Sequence, residues 1–192
     1  MIMPQSPEIE EDLRLHPQKV LLWVGMVSIV MLFAALSSAL IVRQGEGNWN
    51  YFAMPWVFWL TSGIVLLSSG TMYLAVKATR NGNLSTQITW LWVSALLGIA
   101  FIVGQFTGWV YLAESGIYFR DNPSNSFLII LTGLHGLHLI GGIIAIIFVL
   151  VKTLLFKYKR GETLGIELCS TYWHFMGVLW IYLFLFLLYH YT

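Results

Sequence analysis

Three histidines lie inside stretches that otherwise carry no charge. His135 and His138 fall in Leu131-Thr132-Gly133-Leu134-His135-Gly136-Leu137-His138, and His174 falls in Thr171-Tyr172-Trp173-His174-Phe175. An imidazole can ligate a metal, carry a proton near neutral pH, or join two chain segments by hydrogen bonds. In apolar surroundings it needs a partner, because an unpaired polar side chain there is costly. A spacing of three puts His135 and His138 on one side of a helix. Three readings follow: neutral histidines hydrogen-bonded between helices, two histidines ligating a b-type haem, or a proton relay. A relay usually includes carboxylates at the same depth, and these stretches hold none. That argues against a pump or channel, and it weakens a transporter with a midplane ion site. The structural reading leads. A bis-histidine b-type cytochrome that carries electrons itself is the alternative from a different class.

The elements that must position these residues are membrane spans. The chain has 192 residues, of which 58% are hydrophobic and only 10% charged. A soluble domain carries about 25% charged residues. Five stretches without Asp, Glu, Lys or Arg are each long enough to cross a bilayer, at roughly 20–42, 55–76, 88–113, 127–151 and 168–190. Their length and lack of alternation exclude strands. Pro55 suits a helix start, and Trp49, Tyr51, Trp56, Trp90, Trp92, Tyr189 and Tyr191 crowd the span ends as interfacial belts do. The expected fold is therefore all-α: a polytopic membrane protein with one five-helix domain over 20–192, after an acidic tail over 1–19. Basic residues set its orientation. Arg14, Lys19, Lys77, Arg80, Lys152, Lys157, Lys159 and Arg160 fall on one side, against Arg43 and Arg120 on the other. The positive-inside rule then places the N-terminus in the cytoplasm and the C-terminus in the periplasm. At 1.5 Å per residue His138 lies roughly 17 Å, and His174 about 20 Å, from the outer edge. The two could share a depth.

Small and polar residues recur at helical spacing on each span. Ser28, Ala34, Ala35 and Ser38 mark the first, and Thr61, Ser62, Ser68 and Ser69 the second. The third carries Ser94, Gly98, Gln105 and Gly108, with Gly104 and Gly108 as a close-approach pair; the fourth carries Thr132, His135, His138 and Gly142. Such faces pack helices closely and join them by hydrogen bonds. Gln105 is expected to anchor such a bond. For His135 and His138, His174 is the neighbour to look for first, with Gln105 and Thr132 as further candidates.

Other chemistry has no support. There is no phosphate-binding loop, nucleotide-binding glycine fingerprint or serine elbow. The single cysteine, Cys169, excludes an internal disulfide. No basic patch points to nucleic acid. Glu114, Asp121, Glu162 and Glu167 lie in loops or at helix ends, where they are expected to be solvated, with Arg120 and the Lys157–Arg160 cluster as available partners. The acidic stretch Met1–Asp12 lacks the basic region of a cleavable leader.

Taken in order, these motifs resemble subunit III of the haem–copper terminal oxidases, in the five-helix bacterial form. The likeness runs from about Val20 to Tyr191. It rests on the 131–138 segment, on Tyr172-Trp173-His174-Phe175 with Trp180 following, on Leu66-Leu67-Ser68-Ser69-Gly70-Thr71, and on Gly98, Phe101, Gln105 and Trp109. The resemblance implies an accessory subunit in the bacterial inner membrane with no haem, copper or catalytic residue of its own. It would pack on subunit I, which holds the haems and copper, with subunit II in the same complex. It would stabilise the catalytic subunit, support proton uptake and hold phospholipid. His135, His138, His174, Gln105, Thr132, Trp173 and Trp180 would then be structural or close to lipid, and Gly98, Gly104, Gly108, Gly142, Ser68 and Ser69 would serve helix packing. The chain departs from the family at three carboxylate positions, where Ile29, Gly108 and Gly177 stand instead. The longer form's two additional N-terminal helices have no counterpart in residues 1–19.

Overall fold

The computed structural model describes residues 17–118, 121–155 and 163–192. Five helices account for nearly all of them: α1 (Pro17–Gly45), α2 (Trp56–Arg80), α3 (Leu84–Glu114), α4 (Pro123–Leu154) and α5 (Leu164–Tyr191). No strand occurs among the described residues. All five are long and apolar enough to cross a membrane. At 1.5 Å per residue they measure roughly 38–48 Å, more than the ~30 Å hydrocarbon layer.

Most helix ends overrun the charge-free stretches by a few residues. Lys77, Arg80 and Lys152 lie in the last turns of α2 and α4, so these helices continue into the polar zone. Long basic side chains tolerate this because their stems stay on apolar surface while their charges reach water. Pro55 is the residue before α2 rather than part of it. Two starts are fixed by side-chain caps. Asn83 Oδ1 accepts from the Thr86 N–H at 3.2 Å, and Asn122 Oδ1 accepts from the Ser124 N–H at 3.0 Å, with Pro123 opening α4.

The helices α2, α3, α4 and α5 form a closed ring, each packed on the next and α5 back on α2. The α2–α3 pair packs most extensively, and α1 stands outside the ring against α4 and α5 alone. The core is aromatic and aliphatic, with Phe33, Phe101, Met72, Leu91, Leu131, Ile146 and Trp180 fully buried. Apolar side chains also cover the outside, among them Leu21, Met31, Leu67, Phe106, Leu137, Phe148 and Val178. A bundle apolar on both faces suits lipid rather than water as its surroundings.

Hydrogen bonds show which loops share an end. The α1–α2 loop meets the end of α5 and the start of α4. Phe52 N–H donates to the Tyr191 carbonyl at 3.0 Å, Trp49 Nε1 to the His190 carbonyl at 3.1 Å, and Asn122 Nδ2 to the Asn48 carbonyl at 2.8 Å. Tyr191 Oη donates to the Ser124 carbonyl. That loop turns at Gly47 with φ +84°, a conformation open to glycine. At the opposite end, Arg80 pairs with Glu167 at 3.2 Å and Gln87 Nε2 donates to Thr153 Oγ1 at 3.3 Å. Glu167 thus pairs with α2. Lys19, Lys77, Arg80 and Lys152 are at this second end, and Arg43 is at the first. Arg14, Arg120, Lys157, Lys159, Arg160, Glu162 and the acidic tail up to residue 16 lie outside the described residues.

Candidate functional site

Two tryptophans seven residues apart on α5 organise the polar interior. The Trp173 indole, 3% exposed, reaches across the ring. Its Nε1 donates to Ser68 Oγ on α2 at 3.0 Å, and Ser68 in turn reaches the Ser94 carbonyl of α3 at 3.4 Å. Its ring lies against α3 at Gly98 and against α4 at Gly142. A Cβ at Gly98 would come within 2.7 Å of the ring, and one at Gly142 within 3.2 Å. At Gly98 the indole fills the volume that a side chain would need, and at Gly142 it leaves a Cβ only a tight fit. Trp180 repeats the arrangement two turns on: fully buried, it donates through Nε1 to Ser62 Oγ on α2 at 2.9 Å. Its ring packs on Phe58 of α2, Phe101 of α3 and His135 of α4. Each tryptophan therefore ties α5 to the other three helices of the ring.

The three histidines go to three different environments. His135 is fully buried inside a cage made by Phe33, Phe101 and Trp180, with centroid distances of 6.5, 5.8 and 5.1 Å. Neither of its ring nitrogens has a hydrogen-bond partner among the described residues. His138 Nδ1 donates to the Leu134 carbonyl of its own helix at 2.7 Å, while its ring packs on Phe33. His174 Nδ1 lies 2.5 Å from Ser69 Oγ on α2. Only His174 makes the hydrogen bond between helices expected from the sequence. The pairing of His138 with His174 suggested by matched depth does not form. His138 turns along α4, His174 turns to α2, and α5 reaches His138 through Tyr172, whose hydroxyl donates to the His138 carbonyl at 3.0 Å. Depth alone could not reveal this, since it carries no information about the angle around each helix.

The remaining polar positions join α3 to its neighbours. Gln105 Nε2 donates to Thr61 Oγ1 at 3.1 Å, and Thr61 donates onward to the Phe58 carbonyl. Trp109 Nε1 donates to Thr132 Oγ1 at 3.0 Å, and Thr132 donates to the Leu128 carbonyl. Gly104 and Gly108 both face α2. Thr61 fills the space where a Cβ of Gly104 would go, and the Phe58 ring would lie 3.1 Å from a Cβ at Gly108. These glycines allow the close α2–α3 approach. The missing carboxylates now have surroundings. Phe58 covers Gly108, Ile29 packs half-buried on the core, and Gly177 lies beside Val65 and Ser69. Sequence reasoning marked Ser62, Phe101 and Tyr172 without assigning their partners, and it did not single out Phe33. An indole needing an acceptor was the available signal for Ser62; nothing in the sequence assigned the cage around His135.

Grooves open on the outer surface of the described residues. One of about 320 Å³ lies between α1 and α5, and another of about 380 Å³ lies between α2 and α5 with His174 and Ser69 in its wall. A third, about 140 Å³, runs between α3 and α4 over Gly133 and Gly136. Their walls are almost wholly apolar, which fits acyl chains or partner helices and offers no convergent set of ligands. Among the described residues no three His, Cys, Asp or Glu side chains cluster where they could share a metal ion.

Comparison with known proteins agrees with this arrangement. The sequence model of the family "Cytochrome c oxidase subunit III" matches residues 19–192. A probable cytochrome c oxidase subunit 3 of Nocardia farcinica is 30% identical over 169 residues, covering 85% of this chain and 82% of the relative. The cytochrome c oxidase subunit 3 of Synechocystis is 33% identical over 83% of this chain and 70% of its own length. A probable quinol oxidase subunit 3 of Staphylococcus saprophyticus is 27% identical over 84% and 83%. With a family match over five helices and relatives that align along most of their length, this chain belongs to the cytochrome c oxidase subunit III family.

Proposed function

We propose that this chain is a non-catalytic scaffold of a proton-pumping haem–copper oxidase that reduces oxygen to water. Membership of the family makes it an accessory subunit of an oxidase complex and a multi-pass membrane protein. The finer reading is that it sits in the bacterial inner membrane and docks on subunit I, the subunit that holds the haems and copper. There it protects that subunit during turnover, and phospholipid fills its grooves. The excess of Lys19, Lys77, Arg80 and Lys152 at one end supports a cytoplasmic N-terminus.

The observation that carries the scaffold reading is the engagement of the polar interior. Trp173, Trp180, His174, Gln105 and Thr132 bond to other residues of the bundle rather than converging on a shared site. His138 and His174, which a bis-histidine haem would bring face to face, point along α4 and toward α2 respectively. Relatives named as cytochrome c oxidase and as quinol oxidase subunits both match, so the electron donor is better assigned to other subunits. The test is removal of this chain from the oxidase, followed by steady-state oxygen consumption. The initial rate should persist while the number of turnovers before inactivation falls. An unchanged lifetime under continuous turnover would overturn the proposal.

A further inference from the structure

His135 and Gln105 are two of the buried polar residues, with Ser37 and Gln87, that keep an unpartnered atom among the described residues. Buried polar groups in native proteins are nearly always paired. Yet both ring nitrogens of His135 and Gln105 Oε1 lack a partner among the described residues. The orientation of the Gln105 amide is fixed by its neighbour. Thr61 uses its hydroxyl proton on the Phe58 carbonyl, so its oxygen must accept, and Gln105 must present its NH₂ there. The Gln105 carbonyl oxygen is thereby left as an acceptor in search of a donor.

The two groups lie at one level of the α3–α4 seam. Phe101, Gln105 and Trp109 occupy successive turns of α3. Phe101 packs on His135, and Trp109 bonds Thr132 one turn along α4. These two contacts bracket Gln105 between His135 and Thr132. A helical side chain leans toward its own N-terminus, which on α4 carries the His135 ring toward Thr132 and so toward Gln105. A third unpaired group, the buried Ser37 hydroxyl, lies one turn along α1 from Phe33, another wall of the His135 cage. A small neutral molecule that both donates and accepts would satisfy such a set, and buried waters typically hold two to four such bonds.

We propose that one bound water bridges His135 and Gln105, accepting from an imidazole N–H and donating to Gln105 Oε1. The water joins α3 to α4 where no direct hydrogen bond does, and it gives the Leu134-His135-Gly136 segment a polar role that involves no metal. The groove between these helices runs beside Gln105, over Gly133 and Gly136.

The test uses the intact oxidase complex. In a density map fine enough to show ordered water, a peak within hydrogen-bond distance of Gln105 Oε1 and of a His135 nitrogen is expected. An imidazole bonded directly to Gln105, or no peak, overturns the proposal. Thermal midpoints give a second measure. Gln105→Leu and His135→Phe should each lower the midpoint, and the double variant should fall no further than the worse single. A double fall equal to the sum overturns the link. If His135→Phe fails to assemble, Gln105→Leu alone decides, because the peak must disappear from its map and persistence contradicts the proposal.

Discussion

Placing a methyl group at Gly98 tests whether Trp173 is a fixed wedge. The new Cβ would stand 2.7 Å from Trp173 Cη2 and 3.2 Å from both Trp173 Cζ2 and Ile143 Cγ1. Ordinary carbon contacts are about 3.5–4.0 Å, so the indole would have to retreat by close to an ångström. It has nowhere to go. Its Nε1 is held at 3.0 Å by Ser68, and its far edge already lies against α4 at Gly142. Overpacking of this kind costs about 1–3 kcal/mol, while exchanging glycine for alanine within a helix returns up to about 1 kcal/mol. The net loss expected for Gly98→Ala is about 1 kcal/mol, and for Gly98→Leu about 3 kcal/mol. The assay is the thermal midpoint of the purified complex, read together with retention of this chain on it. Trp173→Phe supplies the decisive background, since a phenyl ring does not reach the positions of Cη2 and Cζ2. Gly98→Leu should cost at least about 1 kcal/mol less there than in the parent. Equal cost in both backgrounds would refute the wedge.

Glycines with open surroundings should behave oppositely. At Gly70 and Gly141 an added methyl group would meet nothing within 4 Å, so alanine there should leave the isolated chain unchanged or stabilise it by up to about 1 kcal/mol; a clear loss in detergent would contradict this. Trp180→Phe removes the N–H that Ser62 accepts and should lower stability by about 1 kcal/mol, checked by thermal unfolding, with no change pointing to a bond of no consequence. His174→Leu breaks a bond between helices whereas His138→Leu breaks one within α4, so the first should weaken assembly more than the second, and the reverse order would count against the geometry. The stretch 20–42 has no carboxylate, so a hydrophobic carbodiimide should not modify it. Mass spectrometry locating a label there would disprove that.

The helices were legible in the sequence because a bilayer imposes a simple rule. About 20 uncharged residues are needed to cross it, and five such stretches stand out. Their ends were less legible, since Lys77, Arg80 and Lys152 stop a charge-free window but not a helix. Angular placement was the main gap. The sequence singled out Gly98, Gly142 and Trp173 separately, yet only packing reveals that the two glycines exist for the one indole. The histidines show the same limit. Their spacing placed His135 and His138 on one side of α4, but one entered an aromatic cage and the other bonded its own backbone. Gln105 was marked as an anchor, while its partner Thr61 became definite only once α2 lay beside α3.

The most direct measurement is a reduced-minus-oxidised spectrum of this chain expressed alone, set beside that of the complex captured with a tagged copy in mild detergent. A scaffold subunit should give no haem band by itself and the full oxidase spectrum in the captured complex. A b-type band in the isolated chain, lost on His138→Leu or His174→Leu, would contradict the scaffold role and establish a cytochrome instead.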